Sequence, residues 1–161
     1  MILYFLRHGL AADREEWQGD DRLRPLIARG KQTTSLSAET MARIGLEVDL
    51  ILTSPLTRAQ QTAEIVAKKL HFDDRLQIDE RLSPGFDSRK LADLLRDHAR
   101  VERLMIVGHE PDFSETIGTL IGGGRLVCKK GGLARVDLIT LDPPAGVLVW
   151  LLPPKILAAQ E

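Results

Sequence analysis

The sequence predicts an α/β fold of three layers, with a mostly parallel central sheet, an antiparallel edge strand and helices on both faces. Apolar runs of strand length alternate with stretches of helical length and spacing over most of the chain. The last two apolar runs are separated only by a turn containing Pro and Gly, which is typical of an antiparallel hairpin. We expect a single domain over residues 1–161, because this length suits one compact core.

The predicted strands are short apolar runs that end at polar or turn residues. The first run is continuous, as in a strand buried on both faces, and it ends at Arg7 and His8. A later run ends in the same way at His109. The strands are predicted at residues 2–6, 48–53, 76–78, 103–107, 133–141 and 147–152.

The predicted helices lie between these runs, at residues 26–44, 56–70, 88–98 and about 112–121. Pro25 and Gly45 mark the start and end of the first helix. Asp112 or Ser114 is expected to cap the last one. Residues 10–24 are polar and charge-rich, which indicates a solvated surface loop.

Composition excludes several functional classes. The chain has 22 Lys and Arg against 23 Asp and Glu, a net charge of -1, so a nucleic-acid partner is not expected. A single cysteine, Cys128, excludes an internal disulfide and any site with several cysteine ligands. The apolar runs are too short for a membrane helix, and the N-terminal run lacks the pattern of a signal peptide. We expect a cytoplasmic protein with no membrane partner.

Basic and imidazole side chains follow the predicted strands. Taken alone, Arg7 and His8 could be an ordinary surface pair. If the strands that precede His8 and His109 are neighbours, however, the two imidazoles meet at the carboxyl edge of the sheet, where ligands of such folds bind. Arg58, in the first turn of the helix after Ser54, would join them.

Two imidazoles and two guanidiniums form a pocket suited to a phosphoryl group. A guanidinium can bind two phosphate oxygens at once, and the nearby helix N-terminus adds the positive end of its dipole. Like charges are expected to lower the pKa of His8, which leaves a neutral imidazole able to attack phosphorus. A bound anion would in turn favour protonation of His109.

Three segments resemble the histidine phosphatase superfamily, also called the phosphoglycerate mutase-like family. They are Arg7-His8-Gly9, Ser54-Pro55-Leu56-Thr57-Arg58-Ala59-Gln60-Gln61-Thr62 and Val107-Gly108-His109-Glu110-Pro111. Their order and spacing match along essentially the whole chain. Arg24-Pro25-Leu26 with Gly30, and Lys129-Lys130-Gly131-Gly132, are most similar to the SixA-type phosphohistidine phosphatases.

The resemblance implies a phosphoglycerate mutase-like fold and a role for each matched residue. His8 would be the nucleophile that is transiently phosphorylated, and Arg7, Arg58 and His109 would bind the phosphoryl group. The reaction would need no metal and no organic cofactor. Glu80 stands where many relatives carry a catalytic glutamate and is the candidate proton donor, with an ordinary exposed carboxylate as the alternative.

The interval between the Arg58 helix and the His109 strand holds only residues 71–102, too few for the cap that encloses small substrates in larger members. We therefore expect an open site that acts on a phosphohistidine-bearing protein, such as a phosphotransfer domain or a carrier protein. A small-molecule phosphomonoesterase of the same superfamily is the nearest alternative. A non-catalytic phosphate-binding module and a metal hydrolase built on the histidines are the others, and the oligomeric state stays open.

Overall fold

A computed structural model describes residues 1–159 of the chain. Its sheet has six strands in the order β3-β2-β4-β1-β5-β6. The first four neighbours in this order run parallel, and β5 runs antiparallel to both β1 and β6. The predicted fold class is thereby confirmed. The strands are β1 (Ile2–Arg7), β2 (Leu50–Thr53), β3 (Leu76–Ile78), β4 (Arg103–Gly108), β5 (Leu133–Leu141) and β6 (Pro144–Leu152).

The helices cover both faces of the sheet. The first two pack against each other on one face together with a short C-terminal helix, and the third and fourth lie on the other face. The short last helix was not predicted, because four residues after a Pro-Pro pair carry no helical periodicity. The helices are α1 (Ala28–Arg43), α2 (Thr57–Leu70), α3 (Ser88–Asp97), α4 (Asp112–Leu120) and α5 (Pro154–Leu157).

Strand β1 supplies side chains to two separate cores, because successive residues of a strand point to opposite faces. Leu3 and Phe5 pack with the apolar residues of α3 and α4. Tyr4 and Leu6 pack with α1 and α2 on the other side. Burial on both faces explains why the N-terminal run contains no polar residue before Arg7.

Helix α3 illustrates how local sequence and packing agree. The Asp87 carboxylate accepts hydrogen bonds from the backbone N–H of Arg89 and Lys90, a cap that contributes about 1 kcal/mol. Leu91, Leu94 and Leu95 are fully buried. These leucines fall at helical spacing, so one face of the helix covers the sheet while the other stays in water.

The start of α4 differs from the predicted cap. Pro111 occupies the capping position and makes no side-chain cap, and the Glu110 carboxylate accepts the backbone N–H of Ser114 at 3.2 Å. Asp112 already belongs to the first turn, and its carboxylate accepts the backbone N–H of Gly85 at 2.8 Å and of Phe86 at 3.2 Å. The side chain therefore fastens a distant turn, a contact that local sequence does not reveal.

The strand register brings the chemistry-bearing segments to one edge. β1 and β4 pair in parallel with Arg7 opposite Gly108, so the residues that follow both strands are adjacent. β2 ends beside them, with Thr53 opposite Val107. Within residues 1–159, no helix is both long and apolar enough to span a bilayer.

Candidate active site

The carboxyl ends of β1, β2 and β4 open into a cleft of about 800 Å³. Arg7, His8, Arg58 and His109 all line it, so the structure brings together the four residues of the predicted phosphoryl pocket. Of the remaining lining residues, most come from the loop that follows β1, and Pro84 is the one contribution of residues 71–102. The cleft is therefore open, as expected from the shortness of that interval.

His8 is buried and held in one orientation. Its Nδ1 lies 2.8 Å from the carbonyl oxygen of Gly9, and because a carbonyl can only accept, Nδ1 must carry the proton. The neutral ring then has its lone pair on Nε2. Burial is the main cause that lowers the pKa of His8 to about 3; the charges of His109, Arg58 and Arg7 act in the same direction, and the hydrogen bond to Gly9 opposes them. The predicted direction of this pKa shift is confirmed, although burial outweighs the like charges.

His109 faces His8, with the two ring centroids 5.3 Å apart. Its Nε2 lies 2.8 Å from the Oγ of Ser54, the residue that follows β2. Burial, followed by the charge of Arg58, lowers the pKa of His109 to about 4, so both imidazoles are neutral at pH 7 in the absence of an anion. Ser54 fixes the plane of the ring and leaves Nδ1 as the nitrogen free to bind a ligand.

Arg58 is held by the loop that precedes α1. Its Nη1 donates to the carbonyl oxygen of Asp21 at 2.9 Å, and its Nη2 lies 3.1 Å from the Asp21 carboxylate. Arg24 binds the same carboxylate at 2.8 Å. The interpretation of residues 10–24 as a merely solvated loop is therefore wrong: charges in the loop pair with basic residues of the cleft, and a contact between residues 37 positions apart leaves no local trace.

The turn before β5 holds the backbone of Arg7 and His8. Gly131 donates its N–H to the carbonyl oxygen of His8 at 2.9 Å, with a φ of 76° that favours glycine. The Arg7 Nη1 donates to the carbonyl oxygen of Cys128 at 2.8 Å. The Lys-Lys-Gly-Gly turn, noted in the sequence only for its resemblance, thus holds the backbone of Arg7 and His8 in place.

Several buried polar atoms of the cleft have no hydrogen-bond partner within residues 1–159: Nε of Arg7, Nε of Arg58 and Nδ1 of His109. A buried donor without a partner costs about 1–3 kcal/mol. The three residues that carry these atoms all line the cleft, where a bound anion would supply hydrogen-bond acceptors. The cleft is formed, but some of its polar atoms have no hydrogen-bond partner in the described residues. This arrangement is expected of an anion-binding centre.

Comparison with known proteins identifies the family. The sequence model described as "Histidine phosphatase superfamily (branch 1)" matches residues 3–84, half of the chain. The chain belongs to this superfamily. The match spans β1, the loop with Asp21, the Ser54–Arg58 segment and Glu80.

Three relatives extend the similarity of this superfamily member beyond residue 84. An uncharacterized protein of Picosynechococcus sp. (strain ATCC 27264 / PCC 7002 / PR-6) is 39% identical, over 95% of this chain and 100% of its own. The phosphohistidine phosphatase SixA of Escherichia coli (strain K12) is 26% identical over 76% of each chain. A solved structure of the protein histidine phosphatase SixA complexed with tungstate has a TM-score of 0.87 and 25% identity, covering 98% of this chain and 99% of that one. Membership and these neighbours support a phosphatase activity.

Glu80 stands apart from the other predicted residues of this superfamily member. Its side chain is 74% exposed and lies 3.7 Å from Arg22, and it does not line the cleft. The cleft wall carries other carboxylates, among them Glu110 and Asp21. No group of three His, Cys, Asp or Glu side chains in the described part of the chain is arranged to hold a metal ion.

Sequence reasoning missed two polar residues that support the site. Ser54 was noted at a strand end without a role, and the structure bonds it to His109. Thr62 accepts the N–H of Gly9 at 3.0 Å and donates to the carbonyl oxygen of Arg58 at 2.7 Å. Both belong to the segment 54–62, so their place within a recognised motif was the signal available.

Proposed function

We propose that this chain hydrolyses phosphohistidine on proteins through a covalent phospho-His8 intermediate. The single observation that carries the proposal is the hydrogen bond from His8 Nδ1 to the Gly9 carbonyl. It leaves the lone pair of a neutral imidazole on Nε2, in a cleft that Arg7, Arg58 and His109 also line. A nucleophile and a phosphoryl-binding group then stand in one cleft.

In the first step, the Nε2 lone pair of His8 forms a bond to phosphorus while the phosphorus–nitrogen bond of the substrate breaks. The electron pair of that bond returns to the substrate imidazole. When the other nitrogen of the substrate ring is protonated, the leaving group departs neutral and no proton has to move. Arg7, Arg58 and His109 would hold the phosphoryl oxygens and offset the charge that develops on them.

In the second step, water attacks phosphorus and the bond from phosphorus to Nε2 breaks. The Gly9 carbonyl keeps the proton on Nδ1, so phospho-His8 remains an imidazolium and leaves as a neutral ring. Both hydrogens of water end on inorganic phosphate, and His8 returns to its starting state. Glu80 would be required as an acid only for a leaving group more basic than imidazole, such as an alkoxide.

The openness of the cleft supports a protein substrate. A phosphorylated side chain on another protein must reach His8 while its own backbone stays outside, and residues 71–102 place no cap in the way. The similarity to a SixA phosphohistidine phosphatase over 76% of the chain supports the same class. A small phosphomonoester would leave much of the wide cleft unfilled, which favours the protein over the metabolite.

The test compares wild type and His8→Ala on a phosphohistidine-bearing phosphotransfer domain and on p-nitrophenyl phosphate, with excess chelator present. His98→Gln is the matched control, because His98 follows α3 and does not line the cleft. We expect wild type and His98→Gln to clear phosphohistidine faster than the ester, and His8→Ala to clear neither. Efficient hydrolysis of the ester alone would move the substrate class to metabolites. Activity that disappears in chelator and returns with zinc would favour a metal hydrolase, and no turnover of either compound would favour a phosphate-binding module.

A further inference from the structure

A second cavity, of about 310 Å³, lies beside the catalytic cleft between α1, α2 and the segment that follows His8. It shares Leu10 and Lys130 with the cleft but contains neither catalytic histidine nor either phosphoryl-binding arginine. A volume of this size would hold roughly ten waters at about 30 Å³ each, and it falls in the range of small-molecule sites. The proposed reaction makes no use of this space.

The wall that α1 gives to the cavity changes character along its length. Arg29, Thr33, Ser37 and Met41 follow one another at intervals of four residues, so they lie on one face of the helix. Arg29 is exposed, whereas Ser37 and Met41 are buried. Arg29 therefore marks the mouth of the cavity, and Ser37 and Met41 mark its deep part.

The deep part of the cavity is apolar apart from one hydroxyl that lacks a partner. Met41, Val66 and Leu6 form its apolar wall and are fully buried. Ser37 is only 3% exposed, and its Oγ makes no hydrogen bond to any residue from 1 to 159. A buried hydroxyl without a partner is unfavourable, so a polar atom of a ligand in this space would be stabilised by Ser37.

The mouth is cationic. Arg29 and Lys130 both line the cavity and are exposed, and neither forms an ion pair with a carboxylate in the described chain. Two unneutralised cations at the entrance of an apolar cavity are complementary to a molecule with one charged end and an apolar body. A neutral apolar molecule would not be attracted by the two cations. A purely polar anion would not gain from the burial of apolar surface in the cavity.

We propose that this cavity is a binding site for a small amphipathic anion, with the anionic group at Arg29 and Lys130 and the apolar body against Met41 and Val66. The site adjoins the catalytic centre: Gly9 and Thr62 line it, and Gly9 is the residue whose carbonyl holds His8. A ligand in the cavity would contact Gly9, whose carbonyl holds His8, and would leave the phosphoryl pocket open.

The test uses octanoate as the probe and ¹³C-methyl methionine NMR as the readout. The chain has three methionines: Met41 lines the cavity, Met105 packs in the same core without lining the cavity, and Met1 packs against the core on the opposite face of the sheet. We expect octanoate to shift the Met41 methyl resonance in a saturable manner and to leave the Met1 resonance unchanged. We expect 1-octanol to bind more weakly, since it lacks the charge.

Three variants and one competitor make the test specific. Arg29→Gln is expected to raise the Kd for octanoate about three- to fivefold, the size of one exposed charge contact, whereas Arg43→Gln on the same helix leaves it unchanged. Ser37→Val, which narrows the space and removes the hydroxyl, is expected to abolish the shift, with the Met105 resonance reporting that the fold is kept. Saturating orthophosphate, which fills the catalytic cleft, should not displace octanoate.

The proposal is overturned if octanoate leaves Met41 unshifted up to its critical micelle concentration. It is equally overturned if orthophosphate restores the Met41 resonance, because octanoate would then occupy the catalytic cleft. Equal affinity in wild type and Arg29→Gln would contradict the anionic class of the ligand. These outcomes are independent of whether the chain acts on phosphohistidine, since none of them measures turnover.

Discussion

The central strands carry charged side chains at both ends, but the two ends pair them differently. At the amino ends of β2 and β4, all three guanidinium nitrogens of Arg103 donate to Asp49 and Glu47, with Nη2 2.7 Å from the Asp49 carboxylate. At the carboxyl ends, Arg7 and Arg58 keep a buried Nε that no residue from 1 to 159 satisfies. Every guanidinium nitrogen of the arginine at the amino edge thus has a hydrogen-bond partner, whereas each arginine at the carboxyl edge keeps one nitrogen without a partner in the described residues.

This difference shows which edge serves stability and which serves function. A paired surface cation stabilises the fold modestly and needs nothing more. A buried cation without a full set of partners costs free energy that the rest of the fold must offset, and an anionic ligand would recover it. Burial also keeps both cleft imidazoles neutral at pH 7, as the proposed role of His8 as nucleophile requires.

The sharpest way to break this comparison is to remove one arginine from each edge. Arg58→Met is expected to lower kcat/KM for phosphohistidine by about 10²–10³, as for other lost transition-state donors, with little loss of stability. Arg103→Met should leave kcat/KM within about twofold and lower the melting temperature. Steady-state kinetics and thermal unfolding of both variants check the pair. The same activity loss in both, or in neither, would contradict the division between the edges.

The fold was largely predictable because its strands are apolar runs and its helices have regular spacing. The meeting of His8 and His109 could be predicted as well, since parallel neighbours end at the same edge. The pairing of Asp21 with Arg58 could not, because it depends on the path of a loop. Glu80 was placed by resemblance alone, and its exposed position beside Arg22 follows from packing that no local pattern encodes.

A second prediction concerns pH, because neutral buried imidazoles make the carboxyl edge sensitive to acid. The folded-state pKa values of about 3 for His8 and about 4 for His109 lie below the ordinary histidine value of 6.5, so between pH 6.5 and 4 the unfolded chain binds more protons. The free energy of unfolding should therefore fall as pH drops through this window, by up to about 1.4 kcal/mol per pH unit for each group.

Urea unfolding of wild type, His8→Gln and Arg103→Met from pH 7 to 4.5 measures that slope. His8→Gln should make the free energy of unfolding depend less steeply on pH, because one of the two buried imidazoles is removed. Arg103→Met should leave this pH dependence unchanged. Carboxylates with lowered pKa, such as Asp49 and Asp79, add their own acid sensitivity mainly below this window. Equal slopes in wild type and His8→Gln would mean that His8 is not held neutral by burial.

A third prediction concerns Ser54, which we regard as a positioning residue for His109. Ser54→Ala removes the hydroxyl that meets Nε2, so we expect kcat/KM to fall about tenfold, the worth of one hydrogen bond of about 1.4 kcal/mol. Because the hydroxyl also influences the protonation of His109, the pH profile of kcat/KM should shift as well. Ser54→Thr should restore both, and a loss of stability with an unchanged pH profile would reduce Ser54 to a structural role.

The smallest effect is expected at Glu80, which lies outside the cleft. Glu80→Gln should change kcat/KM for a phosphohistidine protein by less than about twofold, since a protonated imidazole leaves without an enzyme acid. The rate on p-nitrophenyl phosphate and on an alkyl phosphate is measured alongside. A fall confined to the alkyl phosphate would assign Glu80 the role of proton donor, and a fall on phosphohistidine would contradict the mechanism proposed for that substrate.

The most direct test of the central claim is to trap the phosphorylated enzyme. Wild type and His8→Ala are mixed with a ³²P-phosphohistidine phosphotransfer domain, quenched in alkali within milliseconds and separated by mass. The account predicts label on the wild-type chain that is stable in alkali, is lost in acid and maps to His8, with none on His8→Ala. Hydrolysis by wild type with no label on its chain, or continued hydrolysis by His8→Ala, would contradict it.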